Sequence, residues 1–144
     1  MPRISIEQFN ALTAQALPLA AQFGFRVDKI EPGRVLARAP FSHSLTRPGG
    51  TIAGPVIMGL ADYAMYAVVM SRIGPVAGAL TTNLNINFLR PPGPADLIAD
   101  GRVLKLGKRL AVSEVLLFSE GQSEPVAHVT GTYSIPPSAI DAVT

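Results

Sequence analysis

Asp62 is the only charged residue between Arg47 and Arg72, and the stretch around it is apolar on every side. An ionised carboxylate in such surroundings is costly unless it is paired, hydrogen-bonded or turned into a cleft. One reading is a structural aspartate satisfied by backbone amides or by a hydroxyl of Tyr63 or Tyr66. The other is a base or nucleophile lining a cleft. Just upstream, Gly49-Gly50-Thr51-Ile52-Ala53-Gly54 would deliver free N–H groups at a helix N-terminus. An anion or a developing oxyanion is favoured there, although a helix entry needing only glycine flexibility has the same composition. No Gly-Lys-Ser/Thr follows, so this is not a phosphate-cradling loop. Gly54 and Asp62 lie eight positions apart, about 12 Å along a helix axis. One chain therefore cannot bring both to one reacting carbonyl. Two antiparallel copies of the helix would place Gly54 of one chain towards Asp62 of the other.

The elements that must position these residues follow from periodicity. Pro55–Met70 is apolar on all sides of the helical wheel and predicts a buried helix, entered at Gly54-Pro55 and closed by Ile73-Gly74-Pro75. Ahead of it, Ile6, Phe9, Leu12, Ala16, Leu19 and Phe23 have helical spacing over Ser5–Phe23, with a break expected at Pro18. Strands are expected at Phe25–Ile30 and Arg34–Phe41 around a Glu-Pro-Gly turn, then a loop over Ser42–Thr51. After the helix the period changes to two. Thr82, Leu84, Ile86 and Phe88 alternate with Asn83, Asn85 and Asn87, as in an antiparallel strand with one buried face. Leu97–Leu106, Leu110–Phe118 and Val126–Ile135 complete four strands expected to be joined by hairpins. The class is α+β, an antiparallel sheet wrapped around a long central helix. One small sheet covers part of that helix, and the rest would meet another copy of the chain.

Composition narrows the function classes. The 144 residues suit a single domain over 1–144, with an N-terminal helical segment 1–24 and a core 25–137. Hydrophobic residues make up 48% and charged ones 15%, which excludes disorder and leaves apolar surface for a partner to cover. There is no cysteine, so disulfides, thiol nucleophiles and cysteine-held metals are excluded. Two histidines make a multi-histidine metal site unexpected, and no metal is assigned. Net charge is +2 without a Lys/Arg run, and aromatics are 6%, which argues against a nucleic-acid partner. Met1–Gln8 has no signal-peptide pattern. Asp62 within Ile52–Met70 would cost about 2.5–3.5 kcal/mol in a bilayer. The expectation is a cytoplasmic protein with no membrane partner.

Three segments in order carry a resemblance. RPGGTIAGPVIMGLAD (Arg47–Asp62) is similar to the N-P-x-G-x-x-H-G-G-x-x-x-x-L-A-D signature of hotdog-fold acyl-CoA thioesterases of the phenylacetate-pathway (PaaI-like) group. TTNLNINFLRP (Thr81–Pro91) and RVLKLGKRLAV (Arg102–Val112) match the family's pattern downstream. Together they span about the last two-thirds of the chain. The resemblance implies a hotdog fold and hydrolysis of acyl-CoA to a carboxylate and coenzyme A. It implies no cofactor, since coenzyme A is part of the substrate, and a dimer or dimer of dimers. By position, Asp62 is the catalytic carboxylate, Gly54 the N–H donor to the thioester carbonyl, and Thr81 a hydroxyl that positions water. Phe88, Arg90, Lys105, Lys108 and Arg109 fall in segments that contact coenzyme A, while solvated turn charges account nearly as well for the basic ones.

Departures from that pattern leave alternatives. Arg47 stands where the family has Asn and could clamp a carboxylate or phosphate. Ala53 replaces the motif histidine, and Pro55 replaces a glycine with loss of its N–H. These changes suit a non-catalytic acyl-CoA or small-ligand binding protein on the same fold. A hydratase or dehydratase acting on an acyl thioester would need a histidine with an acid, and His43 lies nineteen positions before Asp62. His43 and His128 are otherwise expected to be surface or structural. Met58, Met65 and Met70 suit core or dimer packing. No G-x-S-x-G elbow is present.

Overall fold

The computed structural model describes residues 1–137; the last seven positions of the expected domain, 138–144, lie outside the described residues. Helix α1 (Ile6–Ala16) opens on a reciprocal cap, in which the Gln8 N–H donates to Ser5 Oγ at 3.1 Å and the Ser5 N–H donates to Gln8 Oε1 at 2.9 Å. Its Phe9 and Thr13 are buried. Pro18 breaks the helix as its missing N–H requires, and α2 (Pro18–Phe23) ends on Gly24 in the left-handed region. Strands β1 (Arg26–Glu31) and β2 (Arg34–Ala39) precede a loop containing a short 3-10 turn at His43–Leu45. The long helix α3 (Gly54–Ile73) follows, then β3 (Leu80–Phe88), β4 (Leu97–Leu106), β5 (Leu110–Ser119) and β6 (Ala127–Ser134).

All six strands form one antiparallel sheet in the order β1-β2-β4-β5-β6-β3. The expected run of four hairpin-linked strands is corrected at its first link. Strand β3 pairs with β6, and β4 crosses to lie beside β2. The Arg90–Pro94 stretch lacks the N–H groups for a ladder at its prolines and carries the chain across. Strand β3 is left as an edge, with Leu80 65% and Phe88 54% exposed.

Helix α3 lies in the curve of the sheet against β2, β4, β5 and β6. Ala61, Ala64 and Ala67 are fully buried, and their small side chains let the helix approach closely. Gly131 of β6 makes a close approach: an added Cβ would sit 2.6 Å from Met65 Sδ and 3.0 Å from the Asn83 carbonyl oxygen, so the buried Met65 would have to shift. The helix is not covered all round, as expected where one small sheet wraps it. Pro55, Met58, Gly59, Asp62, Tyr66 and Ile73 form an incompletely covered stripe at helical spacing. Met58 is 41% exposed, whereas Met65 and Met70 are fully buried. The helix is long and apolar enough to cross a membrane, but 67% of its most apolar window is buried inside the fold. That burial marks a core helix.

Candidate active site

Asp62 sits on the uncovered stripe of α3, facing the first residues of β3 and the last of β6. Its Oδ1 accepts a hydrogen bond from Thr81 Oγ1 at 2.6 Å and lies 2.7 Å from the Tyr133 hydroxyl, which is also 2.9 Å from the Asp62 carbonyl oxygen. The second carboxylate oxygen, Oδ2, has no hydrogen-bond partner among the described residues. Asp62, Thr81 and Tyr133 line one cavity of about 290 Å³, together with Tyr63, Tyr66 and Phe25.

Thr81 reaches Asp62 because β3 is irregular there. Strict alternation would put Thr81 on the outer face with Asn83, Asn85 and Asn87. Instead the pairing with β6 shifts between Thr81↔Tyr133 and Asn83↔Thr132, a bulge at Thr82 that adds one residue and reverses parity. Thr81 therefore shares the inner face with its cross-strand partner Tyr133, and Leu84 resumes that face opposite Gly131. Thr82 is turned to donate from Oγ1 to the Thr132 carbonyl at 3.2 Å.

Tyr63 and Tyr66 do not satisfy the carboxylate. The Tyr63 hydroxyl lies among Thr13, Asn10 and the Phe25 carbonyl, and that of Tyr66 donates to the Ala77 carbonyl at 3.0 Å. Tyr133 takes the role instead, and sequence reasoning missed it. One signal was available: Val129, Gly131 and Tyr133 share inward parity, and an inward tyrosine needs a partner for its hydroxyl. Burial and the neighbouring Asp62 charge push the Tyr133 phenol well above its ordinary value. It stays a neutral donor.

Gly54 opens on a second hollow, with Arg47, Thr51, Ile57, Phe88 and Arg90. It is the first residue of α3, with Ala53 as N-cap and Pro55 one position inside. Pro55 has no N–H, while Val56 and Ile57 donate to the Ala53 carbonyl. That leaves the Gly54 N–H as the unspent donor at the helix start. The preceding turn is tight: Arg47 N–H donates to the Thr51 carbonyl at 2.8 Å, and Gly49 and Gly50 hold positive φ of 102° and 85°. The Phe88 ring lies over Gly54, 3.5 Å from where a Cβ would stand. Arg90 donates to the Pro125 carbonyl and lies 3.5 Å from Glu124. Arg47 has no ion-pair partner among the described residues.

Within one chain, then, Asp62 with Thr81 and Gly54 with Arg47, Phe88 and Arg90 are two separate half-sites. Lys105, Lys108 and Arg109 lie at the β4–β5 turn, exposed, and line neither cavity. His43 and His128 line neither; His128 Nε2 is 2.8 Å from Glu114 Oε1 and away from both.

Residues 49–126 match the family model described as the thioesterase superfamily. The chain belongs to the thioesterase superfamily. A protein of Saccharolobus solfataricus provisionally named an esterase is 32% identical over 93% of this chain and 87% of its own. The crystal structure of a protein from Silicibacter sp. TM1040, provisionally named a thioesterase, superposes with a TM-score of 0.86 at 39% identity over 95% of both chains. A mutant of the phenylacetic acid degradation protein PaaI of Thermus thermophilus gives 0.73 at 28% identity, covering 83% of this chain and 99% of that one. The sheet around α3 is thus the hotdog fold of this superfamily. Arg47 and Tyr133 fall outside the matched stretch. Gly54, Asp62, Thr81, Phe88, Arg90, Lys105, Lys108 and Arg109 fall within it.

Proposed function

We propose that the protein hydrolyses acyl-CoA thioesters, with Asp62 as general base and a site completed by a second copy of the chain. The observation that carries this is the Asp62 carboxylate, pinned through Oδ1 by two hydroxyls with Oδ2 unengaged beside a cavity. Thr81 spends its proton on Asp62 and so faces a water as an acceptor. A water donating to Thr81 Oγ1 and Asp62 Oδ2 has its lone pair free to attack. The Gly54 N–H of the other copy then stabilises the oxyanion. The water oxygen bonds to the carbonyl carbon, Oδ2 takes its proton, the C–S bond breaks, and the thiolate recovers that proton. Superfamily membership supports a hydrolase of thioesters or esters. The three matched motifs support acyl-CoA and a PaaI-like relation. Phe88, Arg90 and Arg47 around Gly54 suit the coenzyme A end.

This reading goes with one domain, dimeric or a dimer of dimers, acting in the cytoplasm without a resident cofactor. An acyl-CoA panel with Asp62→Asn run beside the wild type tests it. Turnover should fall at least about a hundredfold with an unchanged far-UV spectrum. Absence of turnover in the wild type, or full activity in the variant, contradicts it. Acyl-CoA recovered intact from the wild type after tight binding would favour a non-catalytic binding protein.

A further inference from the structure

The cavity at Asp62 has a wall that the superfamily match does not supply. Leu12, Ala16, Leu17, Leu19 and Ala20 of α1 and α2 line it, and all precede the matched residues 49–126. They meet there because Pro18 breaks the helical run. Leu17 ends α1 and caps α2 with φ −129° and ψ 80°. Leu19, on the far side of this corner, is apolar yet 51% exposed.

The lining chemistry is one-sided. Asp62 is the only charged residue among those that line the cavity. The hydroxyls are already engaged: Tyr63 with Thr13, Tyr66 with Ala77, and Thr81 and Tyr133 with Asp62. What is left for an occupant is carbon. A second carboxylate would meet Asp62 and no cation. The volume, about 290 Å³, is about twice that of the ~150 Å³ apolar cavity known to take a benzene molecule. It has room for roughly eight to twelve carbon atoms.

We infer that this cavity receives an apolar acyl group, a medium-length chain or a single-ring aryl group, and that the α1–α2 corner sets its size. This rests on the thioesterase reading and names its substrate class. Ala16 and Ala20 leave the space, and Leu17 and Leu19 bound it.

The test is kcat/KM over acetyl-, hexanoyl-, octanoyl-, dodecanoyl-, phenylacetyl- and succinyl-CoA, for the wild type, Ala16→Phe and Leu19→Ala. Each buried methylene contributes about fourfold, so octanoyl-CoA should exceed acetyl-CoA at least a hundredfold, with succinyl-CoA poor. Ala16→Phe fills the cavity and should lower the octanoyl-to-acetyl ratio at least tenfold. Leu19→Ala opens it and should move the optimum towards dodecanoyl-CoA. Preference for acetyl- or succinyl-CoA, or ratios unmoved by both variants, overturns the inference while leaving thioesterase activity standing. If no substrate turns over, titration of octanoyl-CoA into wild type and Ala16→Phe separates the two claims. Binding weakened at least tenfold by Ala16→Phe keeps the cavity assignment and removes the enzyme. Equal or absent binding removes both.

Discussion

At the scale of single residues, the site depends on two hydroxyls that fix one carboxylate oxygen. Thr81→Val keeps the side-chain shape and deletes the contact to Asp62 and the acceptor for water. We predict a loss of kcat of about ten- to a hundredfold, since small misplacements of a reacting group cost that much. Circular dichroism and the melting temperature should stay near wild type, because Thr81 is exposed. Tyr133→Phe should lower kcat about tenfold with KM little changed. The Tyr133 phenol is held above its ordinary value by burial and by Asp62, so it does not ionise across the neutral and mildly alkaline range. The wild-type rate profile should therefore show no alkaline decline from this group up to about pH 9; a decline abolished by Tyr133→Phe would contradict this. Asp62 was legible in the sequence as a charge stranded in an apolar helix. Tyr133 was not, because it meets Asp62 across 71 positions of chain. It also lies beyond the stretch that carries the family pattern.

At the scale of elements, α3 and the strands of the sheet came through clearly in periodicity and breakers. Leu97–Leu106 matches β4 to the residue, and Pro18 divides α1 from α2 as expected. Pairing was not legible. The neighbours of β3 and β4 are chosen by packing over α3, and alternation in one strand cannot name its partner. The irregularity at Thr82 showed only as a conflict: Thr81 has the parity of the Asn face, yet the resemblance puts it in a site beside α3, which needs a strand end, twist or bulge. Strand order is also held by charge at one corner of the sheet. Arg38 of β2 bridges Asp28 of β1 at 2.6 Å, and Asp96 before β4 and Glu120 after β5 at 2.8 Å each. For Asp28, burial acts upward, but hydrogen bonds from Arg38 and Arg26 hold its carboxyl below its ordinary value. The Phe41 N–H, and then Arg38, do the same for Asp96. Carboxyls lowered in the folded state add stability that is complete above their unfolded values near pH 4 and lost as pH falls through the lower folded ones. Arg38→Met should thus cost roughly 1–2 kcal/mol at pH 7, with the gap from wild type closing as pH falls below about 4. Denaturant melts at several pH values check this, and a gap independent of pH would refute the role. Within the sheet, Ser113 Oγ is buried without a hydrogen-bond partner among the described residues. Ser113→Ala should be neutral or stabilising by up to about 1 kcal/mol in the same melts.

At the scale of the whole molecule, the surplus of apolar residues has a location. It lies on the incompletely covered stripe of α3 and on the exposed edge strand β3, where Leu80 and Phe88 stand open. Those surfaces hold the two half-sites, Asp62 with Thr81 and Gly54 with Phe88. A second copy covering them would complete both. The sequence carried this idea in the spacing of Gly54 and Asp62, which no single helix can close. It also implied that one small sheet leaves part of the helix uncovered; which residues form that stripe depends on how far the sheet wraps. The most direct measurement mixes two variants, each inactive alone. Asp62→Asn removes the carboxylate. Gly54→Pro removes the N–H at a position whose preceding residue already has a proline-compatible backbone, with φ −66° and ψ 144° at Ala53. If each site takes Asp62 from one chain and Gly54 from the other, mixed dimers carry one intact site. Unfolding and refolding an equal mixture should then restore about a quarter of wild-type turnover, because half the two-fold dimers are mixed. Activity that stays at the level of the separate variants would contradict a shared site.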